Sequence, residues 1–97
     1  MRIISRRRLT EFCVLFPDAK SQLDAWWAEA HRSNWETPHD IKDKYGSASF
    51  LKGNRVVFNI CGNKYRLIIK FDFKCKTGFV RFIGTHEEYD EINAEEV

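Results

Sequence analysis

A chain of 97 residues has room for one small hydrophobic core, and so for one domain, residues 1–97. No apolar run approaches the ~20 residues of a membrane span, and the first residues lack a secretory apolar stretch. Cys13, Cys61 and Cys75 are too scattered for a disulfide framework or a zinc finger, so the expectation is a reduced, cytoplasmic protein with no membrane contact, metal or cofactor.

The net charge of +2 is divided. Residues 1–86 carry all 16 Lys and Arg against 8 acids, and residues 87–97 carry 6 acids and no base. A basic body with an acidic tail suits a polyanion partner, the tail either packing on the body or repelling phosphate. Plain solubilising surface explains the same division.

Arg2-Ile3-Ile4 predicts a short first strand, with Ser5 capping the helix after it. Leu9, Phe12, Cys13 and Phe16 recur at helical spacing. Arg6, Arg7 and Arg8 fill the first turn, where cations oppose the helix dipole, so they serve either binding or solvation. Pro17 ends this helix and Asp18 is placed to cap a second, about Ala19 to Arg32. Its apolar stripe is Ala19, Leu23, Trp26, Trp27 and Ala30. Ser33 to Lys52 reads as a connection, with a short helical piece from Pro38 through Tyr45. Trp35 and Tyr45 are expected to pin it to the body.

The rest is β. Val56, Phe58 and Ile60 alternate with Arg55, Val57 and Asn59, and Cys61-Gly62-Asn63 makes a hairpin turn. Tyr65, Leu67, Ile69, Phe71 and Phe73 share the next strand's inner face. Lys74 to Gly78 turns again, and Phe79 to Ile83 is the last strand, stopping at Gly84. The order β-α-α-β-β-β describes an α+β domain, two N-terminal helices packed on one face of a small, mainly antiparallel sheet.

The opposite face is expected to show Arg55, Asn59, Arg66 and Lys70, joined by Arg81, which alternates with Val80 and Phe82. Such a cationic surface suits RNA phosphate; a merely solvated sheet face shows the same alternation. Beyond the last strand stand His86, Tyr89 and Asp90. His exchanges protons near neutral pH, Tyr donates or accepts a hydrogen bond, and Asp orients either. A structural histidine closing a sheet is the plainer alternative. Other chemistries find no support. The glycines form no phosphate loop, no histidine neighbours a cysteine in sequence, and the acids are not spaced to converge on a metal.

Two segments carry a family resemblance: Asn59-Ile60-Cys61-Gly62-Asn63-Lys64-Tyr65-Arg66-Leu67 and Phe82-Ile83-Gly84-Thr85-His86-Glu87-Glu88-Tyr89-Asp90. Together with Met1 to Ile4, Trp26-Trp27 and Trp35 through Ala48, they resemble the HigB-type toxins of bacterial toxin–antitoxin systems, in the RelE/ParE superfamily. The resemblance covers nearly the whole chain. It implies a RelE-like fold and an mRNA interferase, a metal-independent endoribonuclease acting on mRNA at the translating ribosome through attack of a 2′-hydroxyl on the neighbouring phosphate. It also implies a HigA-like helix-turn-helix antitoxin, through which alone the toxin would reach operator DNA.

On that chemistry Arg66 with Arg55 and Lys70 would hold phosphate and stabilise the transition state. His86 would act as general acid or base, Tyr89 would position or protonate, and Asp90 would orient His86 or Tyr89. Asn59, Asn63, Arg81 and the Arg6–Arg8 run would contact RNA. Two other functions stay open: gyrase poisoning, the activity of the ParE branch, and a non-catalytic RNA- or protein-binding module.

Overall fold

The computed structural model describes residues 1–97. Strand β1 (Arg2–Ile4) leads into helix α1 (Arg6–Leu15), and a 3-10 turn (Pro17–Ala19) runs directly into α2 (Lys20–Arg32). Then follow α3 (Pro38–Lys44), β2 (Ser49–Leu51), β3 (Arg55–Ile60), β4 (Tyr65–Asp72), β5 (Thr77–Thr85) and α4 (His86–Asp90). The five strands form one sheet in the order β1-β5-β4-β3-β2. β1 lies parallel to β5 and every other pair is antiparallel.

Alternation sets the core. Val56, Phe58 and Ile60 of β3 and Tyr65, Leu67, Ile69 and Phe71 of β4 join Leu9 and Phe12 of α1 and Leu23, Trp26 and Ala30 of α2. Trp26 meets Phe58 edge-on at 5.3 Å between ring centroids. The expected pinning of the long connection is present: Tyr45 lies 5.2 Å from Phe58 and Trp35 lies 5.9 Å from Phe71. Burial, with the nearby charge of Glu29, pushes the Tyr45 hydroxyl up to about 12. Helix α3 opens on a reciprocal cap between Thr37 and Asp40, with Pro38 at its first turn.

Four local expectations are corrected. Ser5 does not cap α1: it takes a left-handed conformation (φ 72°), and its carbonyl accepts the Arg8 N–H at 3.0 Å. A single residue turns the chain from strand into helix, which rules out the extended geometry a cap needs. Asp18 does not cap α2, because the 3-10 turn continues into that helix without a break. Its carboxylate instead accepts the Tyr65 hydroxyl at 2.6 Å and pairs with Lys64. The connection contains a strand, β2, whose three residues are too short to show a period. Finally, β5 does not stop at Gly84 but runs through it to Thr85.

Candidate active site

Register arranges the sheet face away from the helices into three rows. Asn59, Arg66 and Gly84 lie side by side at one end, Val57, Ile68 and Phe82 in the middle, and Arg55, Lys70 and Phe79 at the other end. The middle row is apolar, and Val57 and Ile68 are almost fully buried although they belong to the outer face. Helix α4 packs on β4 and β5, and Arg55 Nε donates to the Val97 main-chain oxygen at 2.9 Å. The acidic tail therefore packs on the body. The expected continuous cationic surface is corrected to two polar ends separated by an apolar strip.

The end nearer α4 gathers the expected catalytic residues. Arg66 is buried, 9 % exposed, yet it forms no ion pair. Its Nη1 donates to the carbonyls of Asn63 (3.0 Å) and Tyr65 (3.3 Å), and its Nη2 donates to Asn63 Oδ1 at 2.7 Å. A guanidinium carries five N–H groups. Those on Nε and the second on Nη2 have no protein partner. The Tyr89 ring stands 5.7 Å from the guanidinium carbon and 6.4 Å from the Phe82 ring.

Helix α4 presents the rest of the cluster. Thr85 caps it, its hydroxyl accepting the Glu88 N–H while Glu88 accepts the Thr85 N–H at 2.8 Å. His86 and Asp90 are one turn apart, so His86 Nδ1 stands 2.9 Å from Asp90 Oδ2. Engagement of Nδ1 leaves Nε2 for a substrate. The His86 N–H is tied to the Lys64 carbonyl at 2.9 Å, which locks the start of α4 to the β3–β4 turn. Of the cluster, His86 and Asn63 line a cleft of about 600 Å³, together with Phe16, Lys64, Tyr65, Thr85 and Glu87, whereas Arg66, Tyr89 and Asp90 do not.

Lys64 and Phe16 were not expected at this cleft. Lys64 stands beside the recognised Asn63 in the turn. Phe16 continues the apolar stripe of α1, stacked on Phe12 at 4.6 Å, and reaches the cleft through its contact with Tyr65 at 5.4 Å, which helical spacing does not announce. Hydrogen bonds from Lys64 and Tyr65 hold the Asp18 carboxyl below its ordinary range, and the same contacts push both partners up.

The remaining expected residues go elsewhere. Asn59 Nδ2 donates to the Ser47 carbonyl at 3.4 Å, a tie within the fold. Arg55 and Lys70 pair at the opposite end of the face, and Arg81 shares a groove with Lys70 there. The Arg6–Arg8 run is dispersed by the helical turn: Arg6 stacks on Trp27 at 3.6 Å, Arg7 pairs with Glu11, and Arg8 donates to the Val80 carbonyl at 2.9 Å. Its three members therefore make no shared patch.

A buried cation without a countercharge and with two free N–H donors is an arrangement suited to an anion, and an imidazole oriented by a carboxylate is one suited to proton transfer. Residues 19–92 match the HigB_toxin family, described as the RelE-like toxic component of a toxin–antitoxin system. The mRNA interferase toxin HigB of Escherichia coli (strain K12) is 26% identical over 96 residues, spanning 97% of this chain and 92% of that protein. The mRNA interferase HigB of Shigella flexneri shows the same identity and coverage. That of Escherichia coli O6:H1 is 26% identical over 94 residues, 95% of this chain and 91% of the relative.

Proposed function

The chain belongs to the HigB family of RelE-like toxins, the toxic components of toxin–antitoxin systems, and on that premise we propose that it is an endoribonuclease that cuts mRNA. The relatives named as mRNA interferases support this over nearly the full length of the chain. The observation that carries the reading in this molecule is Arg66, a buried cation with neutral partners only, whose guanidinium faces the Tyr89 ring of the same short helix that carries the His86–Asp90 pair. Burying an unpaired charge is expensive. A phosphodiester supplies the missing countercharge.

In the proposed reaction the 2′-hydroxyl of a ribose attacks the adjacent phosphorus while its proton passes to a base. The bond to the 5′-oxygen breaks, and that oxygen takes up a proton. The products are a cyclic phosphate and a 5′-hydroxyl. Arg66 neutralises the charge that grows on the phosphoryl oxygens, as preorganised donors do in such transition states. His86, through Nε2, exchanges the proton at one of the two oxygens. Asp90 orients the imidazole. Tyr89 fixes the phosphate beside Arg66, and Asn63 holds the guanidinium in place. The cut falls on mRNA engaged by the translating ribosome, and the antitoxin that neutralises it is a HigA-like helix-turn-helix protein that carries the toxin to operator DNA.

The test is to map mRNA 5′ ends after induction of the parent, His86→Ala and Arg66→Ala chains, with circular dichroism to show that each variant folds. New ends are expected for the parent and their loss for both variants. Full cleavage and toxicity in both variants overturns the mechanism. A parent that leaves mRNA intact but blocks gyrase supercoiling overturns the function.

A further inference from the structure

The far end of the outer sheet face carries a second feature. Between β4 and β5 the register slips: Ile68 pairs with Phe82 but Ile69 pairs with Val80, so Arg81 is the extra residue of a β-bulge. The bulge is what sends Phe82 to the outer face, against the expected alternation, and it re-aims Arg81. Phe79 pairs with Lys70 and is 37% exposed. Lys70, Lys74, Phe79 and Arg81 line one groove of about 490 Å³. None of these three cations is in an ion pair. The one acid of the groove, Asp72, is engaged by its own turn, accepting the Cys75 N–H at 3.0 Å.

We infer that this groove binds a nucleotide of single-stranded RNA flanking the cut, with the base stacked on Phe79 and the adjoining phosphates on Lys70, Lys74 and Arg81. The inference rests on the reading of the chain as a ribonuclease. An exposed aromatic face among unpaired cations is the combination that holds single strands without reading their sequence. Lys70 lies four residues beyond Arg66 on the same strand, about 13 Å away at the rise of a β-strand. The apolar row of Val57, Ile68 and Phe82 separates the two ends. The groove is therefore too far from Arg66 to hold the reacting phosphate, and it lengthens the track on which the RNA lies.

The probe is a mixed-sequence 2′-O-methyl oligoribonucleotide, which cannot be cut, followed by fluorescence anisotropy at several salt concentrations. Phe79→Leu keeps an apolar side chain but removes the flat ring, and should weaken binding roughly tenfold, while Phe79→Tyr stays within about twofold of the parent. Lys70→Gln and Arg81→Gln should each lower the slope of log affinity against log salt by about 0.7, the value of one single-strand phosphate contact. Unchanged affinity in Phe79→Leu with unchanged salt slopes overturns the groove, as does a parent chain that fails to bind the probe or prefers an acidic peptide. Loss of the new mRNA 5′ ends in His86→Ala, read separately on natural mRNA, leaves the ribonuclease reading standing whatever the groove variants do, so the two failures are distinguishable.

Discussion

Nη2 of Arg66 donates to Oδ1 of Asn63 at 2.7 Å, so the β3–β4 turn itself holds the one buried cation of the molecule. Asn63→Ala removes that acceptor, and a hydrogen bond to a charged group contributes about 1.5–3 kcal/mol. Cleavage should fall at least tenfold with the fold retained. Asn63→Asp makes a sharper test, because it places an acid on the same guanidinium. Its melting temperature should rise while its cleavage falls. Parallel changes in both quantities would show that Arg66 is only structural.

Gly84 is needed for space. A Cβ there would stand 2.6 Å from Phe82 Cζ and 3.1 Å from Glu88 Oε1. Gly84→Ala must therefore push on the ring that supports Tyr89 and on the cap of α4. Overpacking of this kind costs about 1–3 kcal/mol. The denaturant midpoint should drop accordingly, and cleavage should fall further than the folded fraction does. Undiminished cleavage by fully folded Gly84→Ala would mean that Tyr89 needs no fixed position.

Asp18 links pH to stability. Its carboxyl is held below the ordinary value by hydrogen bonds from Lys64 and then Tyr65. A depressed carboxyl contributes stability above its unfolded pKa of about 3.9, and loses it as pH falls through the lower folded value. Asp18→Asn should lower the melting temperature at pH 7. The gap between variant and parent should narrow once the pH passes below about 4. Thermal melts across pH 2–7 check this, and a gap independent of pH would remove the linkage.

Trp26 is 2 % exposed, and its indole Nε1 has no hydrogen-bond partner. Its role is volume and the edge contact with Phe58. Trp26→Ala should destabilise by about 3–5 kcal/mol, the range for emptying a large aromatic site. Trp26→Phe keeps a ring against Phe58 and abandons no hydrogen bond, so urea unfolding should show a clearly smaller loss. Equal losses would point to a polar role for the indole.

The strands and helices that periodicity announced are present, because each buries one face and its sequence must show it. Leu9 and Phe12, Leu23 and Trp26, and the alternating Val56 to Ile60 all behave so. The misses share a cause. Ser5 and Asp18 look like caps, but whether a polar side chain caps a helix depends on how the chain enters it, and Asp18 had better partners 46 and 47 residues away. Phe82 was assigned to the wrong face because a one-residue bulge reverses alternation without changing composition. The α4 cluster was legible because His86, Tyr89 and Asp90 lie within one turn, where spacing alone sets proximity. Phe16 and Phe79 were not, since exposure and long-range approach leave no periodic trace.

The amino-acid sequence alone determined the α+β class, the helix-bearing face of the sheet and the residues able to move a proton. Those follow from local periodicity and side-chain chemistry. Only the tertiary structure decided that Arg66 is enclosed without a countercharge, that the acidic tail lies against the body, and that the cations divide between two ends of one face. Those depend on strand register and on contacts between distant segments, which a sequence order does not specify.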